Sequence, residues 1–233
     1  MTHDRMKSNL QSNIKCDGST FGSSISTIDK GSYIQTMPRH RILFLAAEPG
    51  NETRIRLDEE REKIESEFER SHFRDTISFI SRGCIKADGI SRYVLNIKPT
   101  IVHISGHGTI AGQICIEDEI GNSKVLEPSA LTRLFKSLPP EPRVECVVIN
   151  TCNSAVQMQA IANAVKYVIG MNGEIGVRSA IHFSLGFYQS IVSGLSVPRS
   201  FELGCTQIGL QGGSEDECKI PKLFEDGVAI HNE

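Results

Sequence analysis

Two short apolar runs, each ending abruptly in a small polar loop, constrain the fold of this chain more than any other feature. One is TIVHISGHG (100–108) and the other is CVVINTCNS (146–154). β-Branched residues dominate both, and stretches of helical period separate them. Continuous apolar runs of this kind, bounded by turn residues, are the signature of parallel strands buried on both faces. In an open parallel sheet the loops at the carboxyl ends of the strands line a crevice. One such loop carries His107 between Gly106 and Gly108; the other carries Cys152 directly after Asn150 and Thr151. An imidazole and a thiol delivered to one crevice from neighbouring strands can act as base and nucleophile.

The rest of the chain extends that sheet. RILFLAA (41–47) and TISFISRG (76–83) read as strands. Between them, LDEEREKIESEFERS reads as an amphipathic helix with Leu57, Ile64 and Phe68 on one narrow buried stripe. ADGISRYVLNIK (87–98) is a second helix, ended by Pro99. After the GHG loop, QICIED and SKVLEP flank the turn tetrapeptide EIGN, which predicts a β-hairpin beside the crevice. Helices over PSALTRLFKSL and NSAVQMQAIANAV, strands over VECVVIN and KYVIGM, and two further helices follow. The tail, DECKIPKLFEDG, carries a final short strand or extended segment. Repeated β–α alternation predicts a mostly parallel sheet with helices on both faces. Residues 1–39 are polar, without sustained period, and read as a mobile or loosely docked extension of a domain spanning 40–233.

Composition narrows the function classes. Hydrophobic residues make up 39% of the 233, enough for a substantial core, and without Trp that core must rest on Ile, Leu, Val and Ala. The net charge of −3 gives no reason to expect a nucleic-acid or anionic-membrane partner. No apolar run approaches the roughly 20 residues needed to span a bilayer, and the N-terminus lacks the apolar core of a secretory signal. A cytoplasmic protein is expected. Its seven cysteines fall at irregular spacings with no CxxC pair, so they read as free thiols rather than zinc ligands.

Most cysteines in such proteins are buried filler. Cys152 differs because it lies past its apolar run, where a helix is expected to begin and where helix N–H groups stabilise a thiolate. Cys146, at the start of the same run, serves as an internal control and is expected to be inert. The glycines beside His107 let the backbone turn sharply and leave room for a substrate carbonyl near the Gly108 N–H. His103 stands four residues earlier, but on a strand that spacing does not bring two imidazoles onto one metal; it reads as packing. Two acidic groups carry alternatives. Glu117, Asp118 and Glu119 are either solvent-facing charge near a turn or an acidic wall selecting a basic side chain. Asp58, Glu59 and Glu60 carry the same two alternatives, and the first turn of a helix, where acids suit the dipole, favours the solvent-facing one. GMNGEIG (170–176) lacks the lysine and hydroxyl of a phosphate loop and reads as a loop bordering the crevice.

The run ILFLAAEPGNETRIRLDEE, then IVHISGHG, the acidic IEDEIGN hairpin, VVINTCNSA, YVIGMNGEIG and AIHFSLGFYQSI together resemble the bacterial CHAT-type caspase-like peptidases, relatives of caspases, separase and gingipain-type proteases. The resemblance covers 41–209. It implies a three-layer αβα sandwich and a cysteine endopeptidase with a His–Cys dyad. By position His107 matches the dyad histidine and Cys152 the nucleophile, while the N–H groups of Gly108 and Cys152 match the oxyanion hole. Asp118 is the nearest match to an acidic residue that in several relatives selects Arg or Lys. The resemblance further implies a protein substrate, no metal or organic cofactor, and a role as effector or activating protease in antiphage defence. The short polar N-terminus departs from members with a large sensor domain, so an upstream protease or partner is the expected trigger. The rival reading is a non-catalytic caspase-like signalling module that binds a partner through the same crevice.

Overall fold

The computed structural model describes residues 39–230. Apart from Arg39, the extension expected over 1–39 lies outside the described residues. Seven strands form one sheet in the order β2-β1-β3-β6-β7-β8-β9. The first five are parallel: β2 (Ile77–Arg82), β1 (His40–Ala47), β3 (Ile101–Gly106), β6 (Cys146–Asn150) and β7 (Tyr167–Met171). The last two, β8 (Pro221–Glu225) and β9 (Val228–Ile230), run antiparallel and close the tail onto β7. The sequence expectation of a final strand or extended segment therefore resolves into two paired strands.

Alternation along the strands divides the core into two layers. Ile42, Phe44, Ile101, Cys146 and Val148 face one side, against α1 (Leu57–Arg70), α5 (Val177–Val192) and α6 (Val197–Leu210). Leu43, Leu45, Val102, Ile104, Val147 and Ile149 face the other, against α2 (Ala87–Ile97), α3 (Pro128–Lys136) and α4 (Ala155–Ile161). Both faces of each central strand are dry, which is why these strands read as unbroken apolar runs. Fully burying one such side chain contributes about 1.5–3 kcal/mol. With helices on both faces, the architecture is the expected αβα sandwich.

The same period of two governs the polar residues. On β3, His103 and Ser105 fall on the α1/α5 side, as Asn150 does on β6. Ser105 and Asn150 are register partners and the last pair of the β3–β6 ladder. Beyond them the two strands separate into their loops.

The hairpin β4 (Ile114–Glu117) and β5 (Ser123–Leu126) forms its own two-stranded sheet, growing directly out of the His107 loop. The Cys115 N–H donates to the His107 carbonyl at 2.9 Å. The β1–α1 loop holds the hairpin tip, through Gly50 N–H to the Gly121 carbonyl at 2.9 Å and Ser123 N–H to Asn51 Oδ1 at 2.7 Å. Among the described residues no helix is long and apolar enough to cross a membrane.

Candidate active site

A pocket of about 120 Å³ opens at the carboxyl ends of β3 and β6, and His107, Gly108 and Cys152 all line it. Of GMNGEIG (170–176), read from sequence as a loop bordering the crevice, Gly170 and Met171 fall in β7 and the loop 172–176 supplies Ile175 to the pocket wall. Aliphatic side chains of Ile55, Leu57, Val177, Ala180 and Ile181 line it further, together with Gly106 and the polar or charged Arg56, Glu60, Ser105, Asn150 and Thr151.

His107 is half-buried, and its Nε2 lies 2.7 Å from the Thr53 carbonyl oxygen. A carbonyl only accepts, so Nε2 carries the hydrogen of that bond. In the neutral ring the basic lone pair then belongs to Nδ1. The β1–α1 loop thus fixes both the orientation of the imidazole and its tautomer.

Cys152 is partly exposed, and its Sγ lies 3.7 Å from the Ile175 carbonyl. It occupies the turn before α4 rather than the helix start expected from sequence. Asn153 causes the difference: with φ at +54° it sits in the left-handed region, which interrupts helical geometry and which Asn tolerates better than most residues. The helix begins at Ala155. Asn153 N–H bonds the Gly173 carbonyl at 3.0 Å, tying the Cys152 turn to the neighbouring loop.

Gly108 meets the Cys152 main chain directly. A Cβ at position 108 would lie 2.0 Å from the Cys152 carbonyl oxygen, a contact no side chain survives. Only glycine permits the two loops to come this close. Cys146 is wholly buried at the far end of β6, and burial pushes its thiol pKa up, as befits an inert cysteine.

Asp118 lies elsewhere. Its Oδ1 accepts from the Ile120 N–H at 2.9 Å and the Asn122 N–H at 2.8 Å, closing the β4–β5 turn, and it does not line the pocket with His107 and Cys152. The acid that does line it is Glu60, one of the three acids for which the sequence favours a helix first turn over an acidic wall. It is 2% exposed. Its Oε1 accepts from Asn150 Nδ2 and Ser184 Oγ, both at 2.6 Å, and its Oε2 from Ser105 Oγ at 2.5 Å. His103 Nε2 stands 3.2 Å from Oε1, an ion-pair distance, and His103 Nδ1 meets the Tyr188 hydroxyl at 3.0 Å. Burial opposes the charge on Glu60, but His103 and the hydroxyl donors outweigh it and hold the carboxyl below its ordinary range. Burial likewise raises the Tyr188 phenol well above its ordinary range. Among the described residues, no group of three or more His, Cys, Asp or Glu could hold a metal ion.

No protein-family model matches the chain. Its curated relatives include a "Probable protease" from Gillisia limnaea, 23% identical over 166 residues covering 70% of this chain and 29% of that protein. A "Roc-COR-CHAT protease" from Runella zeae is 27% identical over 196 residues, 79% of this chain and 20% of that protein. The chain thus spans less than a third of the length of these relatives. Among solved structures, caspase-1 from Spodoptera frugiperda superposes with a TM-score of 0.53 at 10% identity, covering 85% of this chain and 92% of that one. The Drosophila initiator caspase Dronc gives the same TM-score and identity over 91% and 92%. The fold is therefore that of a caspase-like α/β domain. Its sequence relatives and its fold together make the chain similar to the CHAT-type caspase-like proteases.

Proposed function

We propose that this domain is a cysteine endopeptidase whose reacting pair is Cys152 and His107. Nδ1 of His107 takes the Cys152 thiol proton as the sulfur attacks the scissile carbonyl carbon, and main-chain N–H groups of Gly108 and Cys152 stabilise the oxyanion. As the carbon–nitrogen bond breaks, His107 gives its Nδ1 proton to the departing amine. A water molecule, losing a proton to the same nitrogen, then cleaves the thioester to release the acid and the free thiol. The observation that carries this reading is the convergence of His107, Gly108 and Cys152 on one pocket from two adjacent parallel strands. The names of the sequence relatives support the same class of chemistry.

The wall of the pocket favours an aliphatic side chain before the cleaved bond. Apolar groups of Ile55, Leu57, Ile175, Val177 and Ile181 offer contact area to such a residue. Asp118, bound into its own turn, offers nothing to a basic one there. Resemblance to the CHAT-type peptidases supports a protein substrate and an effector or activating role in antiphage defence, with an upstream sensor or protease as trigger.

Alkylation with iodoacetamide, mapped by mass spectrometry, tests the reacting pair. Cys152 should react faster than every other cysteine near neutral pH, and His107→Ala should remove that advantage. A Cys152 no faster than an ordinary exposed thiol favours a partner-binding module instead.

A further inference from the structure

The network behind the pocket joins the two strands that deliver the reacting side chains. Ser105 ends its ladder two residues before His107, and Asn150 ends its own two residues before Cys152. Each donates a hydrogen bond to a different oxygen of the same carboxylate, Glu60. Glu60 is in turn fixed from behind. Ser184 of α5 donates to it, and His103 of β3 stands beside it while bonded to Tyr188, one turn further along α5. One carboxylate therefore joins α1, β3, β6 and α5 at the mouth of the β3–β6 seam.

Packing alone does not call for this arrangement. Glu60 continues the buried stripe of Leu57, Ile64 and Phe68 on α1, where an apolar side chain would fill the same space. Replacing a buried ionic group by a well-packed apolar one is often neutral or stabilising. What the carboxylate supplies and a leucine would not is direction. Its hydrogen bonds have fixed lengths and angles, and in a dry interior they are stiff. The two strand ends are held at a set separation where the backbone ladder stops holding them.

We propose that Glu60 is the positioning residue of the His107–Cys152 pair, acting through Ser105 on the histidine arm and through Asn150 on the cysteine arm. The inference rests on the peptidase reading only in taking those two side chains as the reacting groups. Glu60 touches neither of them and moves no proton. Misplacement of a reacting group by about 1 Å can cost on the order of 100-fold in rate, so loss of the clamp falls on turnover rather than on substrate binding.

The test compares Glu60→Gln, Ser105→Ala and Asn150→Ala with the wild type in two assays, with thermal midpoints measured alongside. Glu60→Gln keeps the shape and removes the charge; the other two each release one arm if the glutamine protein folds poorly. In peptide hydrolysis, kcat of the folded Glu60→Gln protein should fall about 10- to 100-fold while KM stays within about threefold. Each single-arm variant should show part of the loss. Combining either with Glu60→Gln should add less than the product of the separate effects, because both act through one carboxylate. In iodoacetamide alkylation, the rate at Cys152 should fall in the same order. Unchanged kcat and unchanged alkylation in the folded variants would overturn the proposal, as would fully multiplicative effects. Slowed alkylation in Glu60→Gln together with no peptide hydrolysis by the wild type would leave the clamp standing and remove the peptidase reading.

Discussion

Gly108 rests on the main chain of Cys152 so closely that a Cβ there would stand 2.0 Å from the Cys152 carbonyl oxygen and 3.3 Å from its nitrogen. The loop after β3 and the loop after β6 are thus one packed unit, and the approach depends on the missing side chain. Gly108→Ala should force them apart, at a cost of about 1–3 kcal/mol in stability as for other overpacked sites. Activity should suffer more, falling on the order of 100-fold or beyond, because the donors for the oxyanion move with the loops. Thermal melting and kcat/KM on the same preparation separate the two effects. An alanine protein with wild-type turnover would remove Gly108 from the site.

Cys146 and Cys152 share a strand and its following turn but not an environment. Cys146 is sealed in the core with its thiol pKa raised by burial, whereas Cys152 faces the pocket. Cys146→Ala should keep turnover within about threefold of wild type and lose about 1–2 kcal/mol of stability through the small cavity it leaves. Unfolding in urea and a turnover assay check the pair of expectations. Loss of turnover without loss of stability would show that the wrong cysteine has been assigned.

Glu60 links stability to pH. Its folded pKa lies below the unfolded value of about 4.3. The folded state therefore binds fewer protons than the unfolded one across that window. The stabilisation is fully present above the unfolded pKa and is lost as pH falls through the folded one. Urea unfolding from pH 7 down to pH 3 should show wild type losing stability more steeply than Glu60→Gln, which has no such proton to take up. Parallel curves for the two proteins would mean that the carboxylate carries no net folded-state stabilisation.

The order of strands and helices and the hairpin beside the crevice were legible in the sequence because each rests on a local period, and the ends of two such strands place His107 and Cys152 on one pocket. Strands dry on both faces announce themselves as apolar runs, and the loops at their ends follow from the parallel arrangement. Glu60 was harder to see. It sits in a run of three acids at a helix start, where the helix dipole alone accounts for acidic residues. Its signal was the spacing: Leu57, Glu60, Ile64 and Phe68 fall on one helical stripe, so a charge there points inward. The partners that make an inward charge tolerable come from β3, β6 and α5, and no local pattern reveals them. For the tail only a final strand or extended segment was legible; the antiparallel pairing of β8 with β7 and β9 was not, since it is set by contact with β7 rather than by a short, mixed sequence. Asp118 looked like a pocket residue because its hairpin adjoins the crevice; in the fold its carboxylate closes the turn that carries it.

The aliphatic wall makes a statement about substrates. In a positional peptide library, residues such as Leu, Ile or Met before the cleaved bond should be preferred over Asp, Lys or Arg by about tenfold or more, the scale of about 1–3 kcal/mol that apolar pockets deliver. Mass spectrometry of the products identifies the cut position. A preference for Arg or Lys would instead turn attention to the charge on Glu60.

The most direct measurement is hydrolysis of that library by the wild type, Cys152→Ala and His107→Ala, each verified as folded by its thermal midpoint. Wild type should cut, and each variant should lose on the order of 1,000-fold or more in rate, as when one member of a nucleophile–base pair is removed. Hydrolysis by the Cys152→Ala protein at the wild-type rate would contradict the assignment of Cys152 as the nucleophile.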